Sequence, residues 1–330
     1  MNTRYDVLGT GIAAVDDLMY VTDFPSVDCK VPVHASTRQG GGPACTAIAA
    51  AGSLGGRTAY AARFGDNDLS KFIAAALRHH GVDTSEIRRD PGGGPYHSII
   101  VVDGAGHRNV FYDPALYRVL GADDLPDSLI QSATLFLLDH ITEPSLEAVA
   151  KKVRSLGVRI LGDIEGQSES AISLAALTDY LIVPKAFAFW ASHTTDPRDA
   201  CALLARTTRQ ATVVTDGSNG CFASTRTNPA VRHIPAFAVN ALDTNGCGDT
   251  FHGAFALAVA RGLAIEKAIT FASAAAALKA MAAGGQRRGW DALPTLDEVL
   301  QFLRAALAEP AKSTLLEELE VLRTPVPSTT

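Results

Sequence analysis

Four short apolar segments alternate with three helical segments in the second half of the chain, and this alternation most strongly constrains the fold. The apolar segments, at residues 134–138, 158–162, 179–183 and 211–215, have the composition of buried strands, and the helical segments lie near 144–156, 168–177 and 197–208. Strands separated by helices form parallel sheets with right-handed crossovers. The pattern therefore predicts an α/β protein whose ligands bind at the carboxyl ends of its strands.

The segment from Asp243 to Phe251 has the composition of a turn followed by an apolar helix. Gly246 and Gly248 allow backbone N–H groups to converge on one point, and the positive end of the following helix faces that point. Such a cluster binds phosphate or stabilises a developing anion. Asp249 lies in the first helical turn, where we expect it to stay ionised. This combination suits phosphoryl transfer to an alcohol, although an acid that merely caps the helix is also possible.

The pattern Asp-Thr-x-Gly-x-Gly-Asp-x-Phe at 243–251 resembles the C-terminal signature of the ribokinase-like (PfkB) family of sugar kinases. The resemblance implies a three-layer αβα domain with a central, mostly parallel sheet and a small β-sheet lid. It also implies transfer of the γ-phosphate of ATP to a sugar hydroxyl with the help of Mg²⁺. In this interpretation Asp249 is the catalytic base, and the amides of Gly246, Cys247 and Gly248 form the anion hole.

The glycine-rich segment at 40–42 and its following helix resemble the N-terminal signature of the same family, in which the loop binds sugar. The resemblance assigns Gly41 and Gly42 to the substrate site and Asp16 to the sugar hydroxyls, with Asp17 as a neighbouring candidate. A carboxylate suits this position because it accepts from two vicinal hydroxyls at once. The remaining substrate candidates are Lys30 and His140.

Residues that resemble the nucleotide site of the family lie at the ends of later strands or in the helices that follow. The ATP-binding candidates are Lys185, Thr215, Gly217, Gly220 and Ser273. Asp163 is the candidate for binding Mg²⁺ through water, and a monovalent cation is an additional possibility near Asp243. The family motif Pro-Asn-x-x-Glu is replaced here by the sequence at 184–188, which contains neither Asn nor Glu.

Four predicted strands have no helix between partners and are interpreted as the lid: 15–21, 31–36, 97–103 and 108–112. The predicted main domain comprises residues 1–14, 37–94 and 113–310, the lid 15–36 and 95–112, and a C-terminal tail 311–330. A lid would exclude water from the transferred phosphoryl group. The resemblance also implies a homodimer that pairs through the lid.

Residues 9–14 match a loose dinucleotide-binding fingerprint, but they are not followed by a helix of normal length, so we reject a nicotinamide site. No Gly-x-x-x-x-Gly-Lys-Ser/Thr sequence occurs, which excludes a P-loop kinase.

The 330 residues carry a net charge of −6 without an evident basic patch, which argues against a nucleic-acid partner. We find no signal-peptide pattern and no apolar run of membrane-spanning length, so we expect a cytoplasmic protein without a membrane partner. The five cysteines are scattered, which favours free thiols. Cys247, at a helix N-terminus, is expected to have a lowered pKa and to react with alkylating agents.

Within the family, the chain most resembles the fructokinase, ketohexokinase and sulfofructose kinase-like members. A ketose or related sugar is favoured over a sulfosugar because His140 stands where the sulfosugar enzymes carry Arg. Two alternatives remain at this level: a nucleoside kinase of the same fold, and a non-catalytic sugar-binding sensor. The sequence does not specify the sugar or the hydroxyl that is phosphorylated.

Overall fold

The computed structural model describes residues 5–105, 107–139, 144–285, 287–308 and 311–324. Fifteen strands are found in the described ranges. Strands β1–β15 span, in order, Tyr5–Thr10, Ala14–Tyr20, Ala35–Gly41, Thr58–Tyr60, Ala62–Phe64, Val82–Asp83, Ile87–Arg89, Tyr96–Val102, Arg108–Asp113, Ala133–Asp139, Arg159–Asp163, Tyr180–Pro184, Ala211–Thr215, Cys221–Thr225 and Arg232–Ile234.

Eleven α-helices accompany these strands in the same described ranges. Helices α1–α11 span, in order, Pro43–Ser53, Asp68–His79, Asp127–Gln131, Pro144–Ser155, Glu169–Ala176, Lys185–Ser192, Pro197–Leu204, Cys247–Ala260, Ile265–Gly285, Leu296–Ala306 and Ala311–Leu319.

A nine-stranded sheet forms the centre of the molecule, in the order β15-β14-β13-β12-β11-β10-β1-β4-β6. Its pairs from β6 to β13 are parallel, and β14 and β15 add an antiparallel edge. The four strands predicted from the alternating pattern are β10 to β13, each within two residues of its predicted bounds. The predicted α/β class with a mostly parallel sheet is therefore confirmed.

Alternate residues of the central strands enter two separate hydrophobic cores. On β10, Leu135 and Leu137 pack on the side of α1, α8 and α9, whereas Phe136 and Leu138 pack on the side of α4 to α7. Side chains alternate between the two faces of a strand, so a continuous apolar run serves both layers. This is the physical basis of the three-layer arrangement.

A second sheet of four strands, in the order β3-β2-β8-β9, is separate from the central sheet. The strand predicted at 31–36 is displaced: β3 spans Ala35–Gly41 and crosses the domain boundary predicted at residue 36. Its register with β2 places Gly40 and Gly41 in the ladder, which the glycine-rich composition did not suggest. All six residues of β9 are exposed, including the aromatic pair Phe111 and Tyr112.

The end of the chain contains a helix that the sequence analysis did not predict. Part of the predicted tail folds as α11, and Leu315, Leu319 and Leu322 are buried against the core. The tail expectation overlooked the apolar spacing of these leucines; residues 325–330 lie outside the described part of the chain.

The fingerprint at 9–14 does not build a dinucleotide site, since β1 is followed directly by β2 with no intervening helix. Asp139, at the end of β10, accepts hydrogen bonds from the backbone N–H of Ile12 at 2.7 Å and of Ala44 at 3.3 Å. Its carboxylate therefore fixes this turn against the start of α1. Across the described residues, no helix combines the length and the apolar character needed to cross a membrane.

Candidate active site

The turn at 243–246 ends in the N-cap of α8. Gly246 adopts φ 74°, in the left-handed region that favours glycine. Asp243 Oδ1 accepts from the N–H of Asn245 at 2.9 Å, and Thr250 Oγ1 donates to the carbonyl of Gly246 at 2.7 Å. These bonds fix the turn, and the first N–H groups of a helix have no partner within it. The structure thus provides the helix N-terminus that the sequence predicted at this place.

Asp249 and Asp16 line one pocket of about 90 Å³, although 233 positions separate them in sequence. Of the sequence candidates, this pocket also contains Gly41, Gly42 and Gly246. Its complete lining consists of Asp16, Gln39, Gly40, Gly41, Gly42, Pro43, Thr46, Asn245, Gly246, Asp249, Lys279, Gly289 and Trp290. The glycine-rich segment and the α8 turn therefore meet around two carboxylates. We call this space the Asp16–Asp249 pocket.

Asp16 is 7% exposed on β2, where the strand register places it opposite Gln39 and Ser98. Burial raises its pKa to about 6, although hydrogen bonds with Ser98 and Gln39 act in the opposite direction. A Cβ at Gly41 would lie only 2.2 Å from Asp16 Oδ2. Glycine at this position therefore leaves room for the carboxylate at the pocket wall.

Asp17, the neighbouring candidate, pairs with residues outside the Asp16–Asp249 pocket. Its carboxylate accepts from Arg38 Nε at 2.7 Å and Nη2 at 2.6 Å, and it lies 2.8 Å from His97 Nε2. The Arg38 hydrogen bonds lower its pKa to about 2. Successive strand residues point to opposite faces, so Asp16 lines the pocket while Asp17 forms a surface ion pair.

Asp249 has a second carboxylate as its main electrostatic neighbour. Burial and the negative charge of Asp163 raise the pKa of Asp249, while His252 acts in the opposite direction. Desolvation and the like charge of Asp163 therefore act on the pKa of Asp249 in the direction opposite to the helix N-terminus. A carboxyl group with a raised pKa is a better proton acceptor once it is ionised.

Asp163, at the end of β11, is fully buried, and burial raises its pKa well above the usual range. Neither of its oxygens accepts a hydrogen bond from the described residues. His252 Nε2 lies 3.3 Å from Asp163 Oδ1 but bonds to the carbonyl oxygen of Ile182 at 3.2 Å. His252 Nδ1 faces the carbonyl of Gly248 at 2.8 Å, so the imidazole lies between Asp163 and the backbone of α8.

The prediction of a lowered pKa at Cys247 is wrong. Burial, the largest influence, raises its pKa to about 11, and Lys279 only partly offsets this. The helix N-terminus favours a thiolate, but the thiol is desolvated beside Asp243 and Asp249. Cys247 Sγ instead lies 3.7 Å from the carbonyl oxygen of Asp243, as a weak donor.

Lys279 is a pocket residue that the sequence reasoning missed. It lies on α9 and is 1% exposed, and its ammonium is 3.3 Å from Asp243 Oδ2. A Cβ at Gly246 would lie 3.8 Å from Lys279 Cε, so the stem of this lysine passes beside the α8 turn. A fixed positive charge thus neighbours Asp243, where the sequence suggested a monovalent cation. The only signal was a lysine within the alanine-rich part of α9, residues 272–283.

Trp290, Thr46 and Gln39 were also missed. Trp290 Nε1 donates to Thr46 Oγ1 at 3.1 Å, and a Cβ at Gly40 would lie 2.7 Å from the indole ring. Gln39 packs against Gly289, which has φ 56°. These contacts join parts of the chain about 250 residues apart, so no local pattern could have revealed them.

The nucleotide candidates form a separate group. Thr215 ends β13, and a tight turn with Gly217 at φ 53° and Gly220 at φ 92° leads into β14. A Cβ at Gly217 would meet no atom within 4 Å, so this turn is open. Lys185 begins α6 and is paired with Asp216 of the same turn. Thr215, Gly217 and Lys185 therefore share one edge of the sheet.

The remaining candidates are more dispersed. Lys30 lies in the exposed segment between β2 and β3 and does not line the Asp16–Asp249 pocket. Ser273 is half-buried on α9. His140 lies outside the described residues. Within the described ranges, no group of three or more His, Cys, Asp or Glu side chains has the arrangement of a metal site.

The chain is similar to known carbohydrate kinases. The model of the "pfkB family carbohydrate kinase" matches residues 9–292. Fructokinase-1 of Zea mays is 28% identical over 293 residues, which cover 81% of this chain and 88% of that protein. The ATP-dependent ribose-1-phosphate kinase of Halopiger xanaduensis is 26% identical over 308 residues, which cover 90% of this chain and 97% of that protein.

Among solved structures, the ribokinase of Arabidopsis thaliana in complex with ribose and ATP superposes with a TM-score of 0.78. It is 22% identical and the match covers 90% of this chain and 98% of that one, a likeness that concerns the fold. The family match covers most of the chain and includes both glycine-rich segments of the pocket. The protein belongs to the pfkB family of carbohydrate kinases.

Proposed function

We propose that this carbohydrate kinase transfers the γ-phosphate of ATP to a hydroxyl of a sugar held in the Asp16–Asp249 pocket. The observation that carries the proposal is the position of Asp249, on the first turn of α8 and on the wall it shares with Asp16. In this position its carboxylate can accept the hydroxyl proton. The adjacent amides of Gly246, Cys247 and Gly248 then stabilise the charge that develops on the phosphoryl group.

The substrate side of the pocket is assigned to Asp16, Gly41 and Gly42. Ionised Asp16 accepts hydrogen bonds from two sugar hydroxyls. The sugar is thereby oriented so that the hydroxyl to be phosphorylated faces Asp249. Gln39 adds an amide donor and acceptor beside it. Desolvation makes these hydrogen bonds stronger and more selective than they would be in water.

ATP is assigned to the turn after β13, with Thr215, Gly217 and Gly220 at the phosphates, Lys185 beside them, and Ser273 toward the base. Mg²⁺, when bound, neutralises the charge of the phosphates during transfer. Asp163 fits a water-mediated contact to it, since its buried oxygens have no hydrogen-bond partner among the described residues. Because Lys185 already pairs with Asp216, its release from that pair would accompany nucleotide binding.

A sugar fits better than a nucleoside. Stacking a nucleobase over this pocket would favour a pair of aromatic rings, and its described lining contains one, Trp290. The relatives named fructokinase and ribose-1-phosphate kinase both act on sugars, which supports the same class. We further propose that the four-stranded sheet acts as a lid and that its exposed β9 pairs with a second copy of the chain.

The test is release of ADP from ATP and Mg²⁺ with a panel of ketoses, aldoses, their phosphates and acids, and adenosine. We expect ADP release with one or more sugars and none with adenosine. Asp68→Asn, at a fully solvated position of α2, serves as the matched control for Asp249→Asn. Phosphorylation of adenosine in preference to every sugar would overturn the proposal.

A further inference from the structure

A second pocket, of about 200 Å³, lies between the four-stranded sheet and the 241–245 segment. It shares Asn245 with the Asp16–Asp249 pocket, so the two spaces are neighbours. Its lining consists of Leu18, Tyr20, Ile100, Val102, Arg108, Ala241, Leu242, Asp243, Thr244, Asn245, Arg287 and Arg288. We call this space the arginine pocket, because three guanidinium groups line it.

The two pockets lie along one face of the sheet. Asp16, Leu18 and Tyr20 alternate along β2 and therefore point to the same side. Along β2, Leu18 lies two positions, or roughly 7 Å, from Asp16, and Tyr20 lies four positions, or roughly 13 Å, away. A ligand whose hydroxyls contact Asp16 can therefore extend past Leu18 into the arginine pocket.

Two of the three arginines have no carboxylate partner within the described part of the chain. Arg287 Nη2 pairs with Glu298 Oε1 at 2.7 Å, whereas Arg108 and Arg288 form no such pair. The guanidinium of Arg288 is held 4.7 Å from the centre of the Tyr20 ring. This contact orients the side chain over the pocket without neutralising its charge.

The acidic lining residue does not compensate for these charges. Asp243 already faces the ammonium of Lys279 at 3.3 Å. The arginine pocket is therefore a site of net positive charge with an apolar floor formed by Leu18 and Ile100. Guanidinium groups bind carboxylate and phosphate oxygens through paired hydrogen bonds, which makes them selective for these anions.

From this arrangement we infer that the substrate is an anionic sugar, whose carboxylate or phosphate binds Arg108 and Arg288 while its reacting hydroxyl faces Asp249. The inference rests on the proposed kinase function and specifies its substrate class. Arg108 lies on β9 and Arg288 follows α9, so an anion bound by both also joins the lid to the main body.

Steady-state kinetics with matched sugars test this inference. Each neutral sugar in the ADP-release assay is paired with its terminal phosphate and with its acid. We expect kcat/KM to be at least 10-fold higher for one anionic member than for its neutral counterpart, as charge-assisted hydrogen bonds predict. Comparing the phosphate with the acid identifies the kind of anion.

Variants then locate the anion. Arg288→Gln and Arg108→Gln should each raise KM for the anionic sugar about 10- to 100-fold, with KM for ATP unchanged. Arg288→Lys should recover part of the loss, and Arg304→Gln, exposed on α10, should have no effect. Both arginine side chains are exposed, so folding should be retained, which a thermal melt checks.

The outcomes separate the two proposals. If neutral sugars react as well as anionic ones and the arginine variants match the wild type, the inference falls while the proposed kinase function stands. If no sugar of either kind releases ADP, the proposed function falls and the inference with it.

Discussion

Asp16 and Asp249 line the same pocket but lie on different kinds of structure, a strand and a helix N-terminus. Asp16 is surrounded by neutral hydrogen-bonding groups, Gln39 and Ser98, and its pKa is raised to about 6 mainly by burial. The pKa of Asp249 is raised by burial and by the charge of a second carboxylate, Asp163. The first environment suits a fixed hydrogen-bond acceptor, whereas the second suits a group that gains and loses a proton.

The largest effect is expected for Asp249→Asn. An amide cannot accept the hydroxyl proton, so kcat should fall about 10²- to 10⁴-fold while KM for the sugar changes little. The measurement is ADP release at saturating ATP, with thermal melts to establish that folding is retained. Wild-type activity in this variant would remove Asp249 from the role of base.

The neighbouring pair Asp16 and Asp17 offers a matched comparison. Asp16→Asn should raise KM for the sugar about 10- to 100-fold, because one charged acceptor is lost. Asp17→Asn, on the other face of β2, should leave KM within about 2-fold, because a partly exposed ion pair contributes little. A reversed ranking of the two variants would contradict the assignment of Asp16.

Asp16→Asn is also expected to change the stability of the protein. The pKa of Asp16 is raised from 3.8 to about 6 in the folded state. This group therefore contributes stability that is fully present below about pH 4 and is lost as the pH rises through 6. Asp16→Asn should therefore be more stable than the wild type at pH 7, by up to about 3 kcal/mol. Chemical denaturation at pH 7 and pH 4 checks this, and the gain should disappear at pH 4. An equal or larger gain at pH 4 would contradict the assigned shift.

Lys279→Met tests the fixed charge beside the α8 turn. Breaking this largely buried pair should cost about 3 kcal/mol of unfolding free energy and lower kcat roughly 10-fold. If the ammonium substitutes for a monovalent cation at Asp243, added K⁺ should restore part of the activity of the variant and leave the wild type unchanged. Lys267→Met, which breaks an exposed pair with Glu318, is the control. Strong K⁺ activation of the wild type would contradict this role.

The smallest effect is expected at Cys247. Because its pKa is raised to about 11, iodoacetamide at pH 7.5 should modify the exposed Cys29 and leave activity intact. Mass spectrometry of the modified protein, with a Cys29→Ser control, identifies the labelled thiol. Rapid inactivation that ATP prevents would restore the original expectation of a reactive thiol.

Features of the site that depend on residues adjacent in sequence were recognised from the sequence, whereas features that depend on contacts between distant segments were not. Gly246, Gly248 and Asp249 were recognised because turn, glycines and helix are adjacent in sequence. The strand predicted at 31–36 was misplaced because glycines 40 and 41 read as a loop, whereas pairing with β2 extends them. The pKa of Cys247 was misjudged because the local helix effect is smaller than the desolvation that distant elements impose.

The sequence by itself determined the layered α/β fold, since the periodicity of apolar residues dictates which faces must be buried. It also determined the helix N-terminus at 246–249, since glycine and helix-capping chemistry are local. Only the tertiary structure decided that Asp16, not Asp17, lines a pocket with Asp249, that Lys279 neighbours Asp243, and that Arg108 and Arg288 share a pocket. Those relations depend on strand register and on helices packed from opposite ends of the chain, which no local pattern encodes.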